Sequence, residues 1–219
     1  MNINPEEQSV AVSVVVPVYG SPGTLLELHR RISSEMQRIQ KSYEIVFVDD
    51  CGPPEGLQVL WEIAKNCDDI VIVEMLRNVG QVSATVHGMA QSAGRLIVTI
   101  DDDLQQWPED ISKMIEELES QNLDLVVGRF PEKQQSRFRN MSSEVARRIA
   151  IIALPVSKTT HFSSFRVMRR EVFESYFRNE RLNYASPGWM YVTAPRHSEV
   201  RAGTRRTSSP PGGSLRGWS

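Results

Sequence analysis

Three consecutive aspartates, Asp101 to Asp103, follow the apolar run 97–100 in the stretch VTIDDDLQQWPED, and Gln105 comes two residues later. The apolar run predicts a buried strand, so the acids stand where that strand ends. Carboxylate and amide oxygens are the ligands that Mg²⁺ and Mn²⁺ prefer, and three adjacent carboxylates without a cation would repel one another. Alternate residues of an extended segment share one face. The stretch therefore predicts a divalent-cation site with Asp101, Asp103 and Gln105 as ligands.

Other polar residues end neighbouring strands of the same predicted sheet. Pro17 and Tyr19 close the first apolar run, Asp49 and Asp50 close the second, and Arg129 follows the fifth. In an open α/β sheet, ligands bind beyond the carboxyl ends of the strands. We therefore expect these side chains and the acids to form one site.

The elements that must position them alternate between strand and helix. The predicted strands are residues 10–19, 43–50, 70–76, 95–100 and 123–128, and helical periodicity fills the intervals between them. This alternation predicts an α/β fold with a mostly parallel sheet and helices on both faces. After Arg129 the pattern loosens: residues 142–154 and 170–177 predict helices, and residues 161–168 predict a strand or an extended loop.

The composition changes again near the C-terminus. Residues 196–219 are rich in Arg, Gly, Ser and Pro and contain few apolar side chains. Such a segment buries too little surface to order itself. We therefore expect one folded domain over residues 1–195 and a disordered low-complexity tail over residues 196–219.

Composition excludes several classes of function. The chain has 219 residues, 40% of them hydrophobic and 24% charged, with a net charge of −2, so nothing indicates nucleic-acid binding. Neither a signal peptide nor a membrane-spanning segment is visible, which favours a cytoplasmic protein. Cys51 and Cys67 match neither a metal-binding spacing nor a disulfide framework, which favours reduced thiols.

Six stretches, in this order, resemble the family 2 glycosyltransferases of the GT-A (Rossmann-like) fold. They are VVPVYG, IVFVDDCGPPEG, LRNVGQ, IDDDLQ, VVGRF and SSFRVMRREV. Within that family they resemble the polyprenyl-phosphate, dolichol-phosphate-mannose-synthase-like branch. The chain departs from the usual pattern at Gly20, where Asn is common, and at Gln81, where Lys is frequent.

The resemblance implies roles on the donor side. The residues implied to bind the nucleotide-sugar are Pro17, Tyr19, Asp49, Asp50, Asp102 and Arg129. Asp101 and Asp103 match the catalytic D-x-D acids, and Asp103 and Gln105 are the implied ligands of Mg²⁺ or Mn²⁺.

The resemblance also implies an acceptor side. Arg166 would act in catalysis and bind the acceptor phosphate with Arg137 and Arg139. The implied function is transfer of a sugar from a UDP- or GDP-sugar to a polyprenyl phosphate with inversion, in cell-envelope glycan synthesis. Peripheral contact with the cytoplasmic face of a membrane is a separate expectation from the residues, because RFRN and ARR form a local basic cluster in an otherwise acidic chain.

Two other hypotheses stay open at this point. The acceptor could be a glycan or another hydroxyl compound, which would require a carboxylate base. The resemblance also implies a closing loop and membrane helices after HSEV, where this sequence has residues 201–219. Impaired activity, or an inactive nucleotide-sugar-binding module, is therefore the third hypothesis.

Overall fold

The computed structural model describes residues 10–20, 22–129, 163–178, 194 and 196–203. The strands are β1 (Val12–Val18), β2 (Tyr43–Asp49), β3 (Ile70–Glu74), β4 (Leu96–Thr99), β5 (Leu125–Arg129), β6 (Arg166–Arg169) and β7 (His197–Arg201). The helices are α1 (Pro22–Arg38), α2 (Pro54–Ala64), α3 (Gln81–Gln91), α4 (Asp110–Ser120) and α5 (Arg170–Arg178). The alternation predicted as far as Arg129 is confirmed.

The strands form one sheet in the order β3-β2-β1-β4-β6-β5-β7. Strand β6 runs antiparallel to both of its neighbours, and the remaining pairs are parallel. The carboxyl ends of β1 to β5 therefore lie at one edge, as predicted. The chain leaves β1 towards β2 and leaves β4 towards β5, in opposite directions along the sheet. Diverging connections of this kind open a ligand crevice between the two strand ends.

Helices cover both faces of the sheet, as the sequence predicted. Val14 and Val16 of β1 pack with the apolar faces of α1, α2 and α4, whereas Val15 packs with α3 and α5. This follows from the alternation of side chains along a strand. Helix α3 lies so close to the sheet that a Cβ at Gly88 would come within 2.5 Å of Val15 Cγ1. The result is a rigid three-layer frame behind the strand ends.

Residues 161–168, for which the sequence predicted a strand or an extended loop, overlap strand β6, which runs from Arg166 to Arg169. Its antiparallel pairing sets Arg166 opposite Thr99 of β4 and opposite Val127 of β5. Because β6 is reversed, its amino end lies at the edge where the parallel strands have their carboxyl ends. Helix α5 follows directly, as predicted. The predicted helix over residues 142–154 lies outside the described residues.

The predicted tail boundary at residue 196 requires correction. Strand β7 adds to the sheet in parallel register with β5, and Val200 and Ala202 are buried. Arg196 donates to the Asp124 carboxylate through Nη2 at 2.5 Å and Nε at 3.1 Å. Composition averaged over the whole segment hid this strand, because an edge strand gains backbone hydrogen bonds and needs few apolar side chains. The expectation for residues 204–219 lies outside the described residues.

Among the residues that the structure describes, no helix combines the length and the apolar character that crossing a bilayer requires.

Candidate active site

A hydrogen-bonded group of four residues, the Asp101 cluster, lies beyond the end of β4. It consists of Asp101, Gln81, Gln106 and Ser164. Asp101 Oδ2 accepts from Ser164 Oγ at 2.6 Å and from Gln106 Nε2 at 2.9 Å, and Oδ1 accepts from Gln81 Nε2. Gln106 Oε1 accepts from the Asp101 backbone N–H at 3.0 Å. The cluster joins the starts of α3 and β6 to the end of β4.

The electrostatic setting of Asp101 is unusual for a carboxylate. Burial raises the pKa of Asp101, the hydrogen bond from Ser164 opposes this, and the charges of Asp103 and Asp102 raise the pKa further. Arg166 lowers it by a smaller amount. Both carboxylate oxygens already accept hydrogen bonds, so the observed contacts give Asp101 an anchoring role. Its role as a metal ligand stays a prediction.

The acids do not continue the strand in an extended form. Residues 102–103 form a turn, and Leu104 has a φ of 56° with its side chain buried. A left-handed conformation at a branched residue costs free energy and persists where the surrounding structure imposes it. The premise that Asp101, Asp103 and Gln105 share one face of an extended segment is therefore wrong.

Asp103 and Gln105 are exposed at this turn. Asp103 Oδ1 accepts from the Gln105 backbone N–H at 2.9 Å, and within the described residues its Oδ2 accepts no hydrogen bond. An exposed carboxylate and an exposed amide two residues apart are hard oxygen donors, which fits Mg²⁺ or Mn²⁺. These two side chains could hold the cation.

Asp102 connects the acidic turn to the loop that follows β1. Its Oδ2 accepts from the Tyr19 backbone N–H at 3.2 Å, and its carbonyl oxygen accepts from Thr24 Oγ1 at 2.6 Å. These bonds bridge the two strand ends that flank the crevice. Tyr19 itself is 61% exposed, whereas Pro17 is buried within β1. The predicted residues of β1 and β4 are thus brought together.

The two acids at the end of β2 face backbone rather than solvent. Asp50 is buried, and its carboxylate accepts from the backbone N–H groups of Val79 at 2.7 Å and Gly80 at 2.9 Å. Gly80 has a φ of 85°, which glycine adopts without strain. Asp50 therefore shapes the loop before α3. Asp49 is also buried, with Oδ1 accepting from Gly52 N–H at 3.3 Å.

The predicted arginines occupy different places. Arg166 begins β6, is 9% exposed, and acts electrostatically on Asp101, so it belongs to the same end of the sheet. Arg129 is exposed at the end of β5, and its carbonyl accepts from the Ala202 N–H at 3.0 Å. Arg137 and Arg139 lie outside the described residues. The structure therefore brings Arg166 towards the acids and leaves Arg129 beside β7.

The residues after β7 return to the acidic loop. A Cβ at Gly203 would lie 2.6 Å from Cε3 of Trp107, so the glycine packs flat against the indole. The Gly203 N–H donates to Asp110 Oδ2 at 2.6 Å. Trp107, two residues after Gln105, therefore lies against the end of the sheet.

Sequence reasoning missed several residues of this site. Gln106 and Ser164 hold Asp101, and Thr24 and Gly203 hold the flanking loops. Ser164 lies within the quoted stretch SSFRVMRREV, and Gln106 directly follows the quoted stretch IDDDLQ. No local pattern connects Thr24 with Asp102 or Gly203 with Asp110, because those contacts span 78 and 93 residues.

Solved structures share this architecture. Glucosyl-3-phosphoglycerate synthase from Mycobacterium tuberculosis, in complex with Mn²⁺ and UDP-glucose, matches with a TM-score of 0.68 and 17% identity over 94% of this chain and 73% of that chain. Mannosyltransferase PcManGT from Pyrobaculum calidifontis, in complex with GDP-Man and Mn²⁺, matches with a TM-score of 0.61 and 18% identity over 87% of this chain and 54% of that chain. At these identities the likeness shows the fold, and the predicted GT-A fold is confirmed.

Sequence relatives show the family. An undecaprenyl-phosphate 4-deoxy-4-formamido-L-arabinose transferase of Photorhabdus laumondii is 32% identical over 170 residues, which are 77% of this chain and 52% of the relative. The chain spans about half the length of the curated relatives it matches. The name of this relative states a polyprenyl phosphate, in agreement with the predicted branch. Residues 13–177, which include the acidic turn and β6, match the profile of glycosyl transferase family 2, and the chain therefore belongs to that family.

Proposed function

We propose that this protein transfers a sugar from a UDP- or GDP-sugar to a polyprenyl phosphate, with inversion at the anomeric carbon. One observation carries the proposal: the Asp101 cluster and Asp102 hold an acidic turn at the crevice between β1 and β4, with Asp103 and Gln105 exposed. The relatives named as undecaprenyl-phosphate transferases support the acceptor class.

The donor would lie across the crevice. Tyr19 is exposed beside the acidic turn. Gly52 lies close to both the Asp49 carboxylate and the Tyr19 backbone, so Asp49 and Tyr19 are near one another. These residues would contact the base and ribose, and Pro17 and Asp50 would support them from buried positions. Arg129 would reach the donor phosphates from the end of β5.

Asp103 and Gln105 would hold the divalent cation, Mg²⁺ or Mn²⁺. The cation supplies Lewis-acid stabilisation of the diphosphate leaving group. Asp101 and its three side-chain partners keep the turn in place, so that Asp103 need not reorganise during the reaction. This preorganisation is the main contribution that the chain's own residues make to donor activation.

The acceptor phosphate would be positioned by cationic side chains. A phosphate monoester is largely ionised near neutral pH because its second pKa is about 6, so it needs little help from a base. Arg166 at the start of β6 lies on the Asp101 side of the site and would align this phosphate. Arg137 and Arg139 would assist, and a peripheral contact with the cytoplasmic face of a membrane would deliver the acceptor.

A paired-acceptor assay tests the proposal. The purified chain is incubated with UDP- and GDP-sugars, with Mn²⁺, Mg²⁺ or a chelator, and with a short-chain polyprenyl phosphate or the matched polyprenol. We expect a glycosylated product only with the phosphate acceptor and a divalent cation. Transfer to the polyprenol would overturn the acceptor class. Nucleotide binding without transfer to any acceptor would support an inactive binding module instead.

A further inference from the structure

A group of side chains of types that can ligate a metal lies away from the acidic turn. His29 on α1 meets Cys67 and Asp69, which belong to the loop between α2 and β3. One ligand atom from each of the three lies within 4.8 Å of the other two, and all three residues are half-buried. The loop leads into the amino end of β3, so this group lies at the sheet edge opposite the strand-end site.

We propose that His29, Cys67 and Asp69 bind a borderline-soft divalent cation, namely Zn²⁺, with water as the fourth ligand. An imidazole nitrogen, a thiolate and a carboxylate are the three donor types found in tetrahedral zinc sites. Zinc–ligand distances of about 2.0–2.3 Å place the donors of a tetrahedral site about 3.3–3.8 Å apart. The observed separations therefore need only a small closure, which side-chain rotation supplies.

Polar side chains lie beside two of the three proposed ligands. Burial raises the pKa of the Tyr43 hydroxyl at the start of β2, the neighbouring Asp69 raises it further, and the neighbouring Ser33 opposes this. Ser33 Oγ lies 3.3 Å from Nε2 of His29. Partners of this kind fix the ring and carboxylate orientation in metal sites. This arrangement is the second observation, after the donor geometry, that points to a bound cation.

The protonation states are compatible with metal uptake. Burial lowers the pKa of His29, so its imidazole is neutral near pH 7 and can donate a lone pair. Burial raises the pKa of the Cys67 thiol, which therefore keeps its proton until metal arrives. On binding, the zinc–sulfur bond forms as the S–H bond breaks, and the proton passes to water. Neither zinc nor sulfur changes oxidation state.

The site would fasten α1 to the loop between α2 and β3. A cation that binds the folded chain and not the unfolded chain stabilises it by mass action. The sulfur ligand distinguishes this site from the acidic turn, where the proposed ligands are oxygen atoms. The inference concerns different residues from those of the proposed function, and either could fail without the other.

Cobalt spectroscopy on the full chain tests the sulfur ligand. Excess Mg²⁺ occupies the oxygen site, and Co²⁺ is titrated while the near-ultraviolet thiolate-to-cobalt charge-transfer band is recorded. We expect one equivalent of thiolate-bound Co²⁺ in the native chain and in Cys51→Ser, which removes the only other cysteine. Cys67→Ser should lose the band, and Asp69→Asn should weaken binding by about tenfold or more.

Thiol protection gives a readout that needs no change at the proposed site. In Cys51→Ser the remaining thiol is Cys67, and its reaction rate with an aromatic disulfide reagent is measured with and without Zn²⁺. We expect Zn²⁺ to slow the reaction by about tenfold or more and to raise the melting temperature. An unchanged rate, the absence of a cobalt–thiolate band in the native chain, or a band that follows Cys51 would overturn the inference.

Discussion

The three adjacent aspartates differ in their hydrogen-bond partners and in their exposure. Asp101 is anchored by Gln81, Gln106 and Ser164, and Asp102 joins the turn to the β1 loop. Asp103 is exposed, and its Oδ1 accepts a hydrogen bond from the backbone N–H of Gln105. Of the three, Asp103 is therefore the acid best placed to accept a cation from solvent.

Replacing Asp103 by Asn should greatly weaken cation-dependent nucleotide binding and leave the fold intact. The side chain is exposed, so its loss breaks no buried contact, whereas a neutral amide is a poorer ligand for a hard cation. We expect the affinity for UDP or GDP in Mn²⁺ to fall by about tenfold or more by titration calorimetry. Glu116→Gln, an exposed acid on α4, is the matched control. Equal Mn²⁺-dependent affinity in Asp103→Asn and the native chain would refute the assignment.

Arg166 should be sensitive even to a change that keeps its charge. A guanidinium binds phosphate through two parallel N–H donors, which an ammonium cannot reproduce. Arg166→Lys should therefore slow transfer to polyprenyl phosphate while nucleotide affinity stays near the native value.

Arg169→Lys, at the other end of the same strand, provides the comparison. Arg169 donates to the carbonyl oxygen of Leu123 and lies at the end of β6 that is away from Asp101, Asp102 and Asp103. Its replacement should leave the transfer rate per folded molecule unchanged. If nucleotide binding and transfer fall together in Arg166→Lys, Arg166 serves the donor side or the fold and not the acceptor.

At the scale of elements, β7 carries the chain from the edge of the sheet back to the site. It pairs with β5, and the residues beyond it pack on Trp107 and bond to Asp110 at the start of α4. The acidic loop is thus held from both sides, by the Asp101 cluster and by the end of β7. This second contact depends on a glycine.

Gly203→Ala should therefore loosen the acidic loop. The new Cβ would lie 2.6 Å from Trp107 Cε3, so the ring or the strand end must move. We expect a lower melting temperature and weaker Mn²⁺-dependent nucleotide binding, because the loop carries Asp103. Gly56→Ala is the control: apart from its chain neighbours and the backbone of its own helix, no heavy atom lies within 4 Å of the added Cβ, and alanine favours a helix by about 1 kcal/mol. An unchanged nucleotide affinity in Gly203→Ala would show that the contact does not position the site.

The attachment of β7 should depend on pH through Asp124. The Arg196 guanidinium, which donates to this carboxylate, lowers the pKa of Asp124 below its ordinary value. A depressed folded-state pKa stabilises the protein above the unfolded pKa of about 3.9, and this stability is lost as the pH falls through the folded pKa. Asp124→Asn should lower the melting temperature at neutral pH. The difference from the native chain should shrink in a scan from pH ~6 to below ~3, and a constant difference would contradict this.

At the scale of the whole molecule, the melting temperatures of two C-terminal deletions show how far along the chain residues contribute to stability. A chain ending at Gly203 should keep the native melting temperature. Residues 204–219 contain only Leu215 and Trp218 as apolar side chains, and burying each contributes about 2–3 kcal/mol against about 1–2 kcal/mol per ordered backbone residue. A chain ending at Val200 should melt earlier, because it loses the buried Ala202 and the Gly203 contacts. Equal melting temperatures for the two chains would show that the end of β7 adds no stability.

The sequence alone determined the alternation of strands and helices to Arg129 and the placement of polar groups at the strand ends. Both follow from local patterns, since apolar periodicity reports which face of an element is buried. The family was also readable, because its motifs are short and continuous. The sequence did not determine the ends of the ordered sheet: β7 carries only Val200 as an apolar side chain, and its pairing with β5 gives it order.

Only the tertiary structure decided which partners each of the three acids has. The Asp101–Ser164 bond spans 63 residues and forms because β6 inserts in reverse between β4 and β5. Likewise, Cys67 matches no metal-binding spacing, and the packing of α1 beside the α2–β3 loop brings it to His29. Contacts between distant residues leave no periodic trace in a single sequence, because they depend on how the strands order themselves within the sheet.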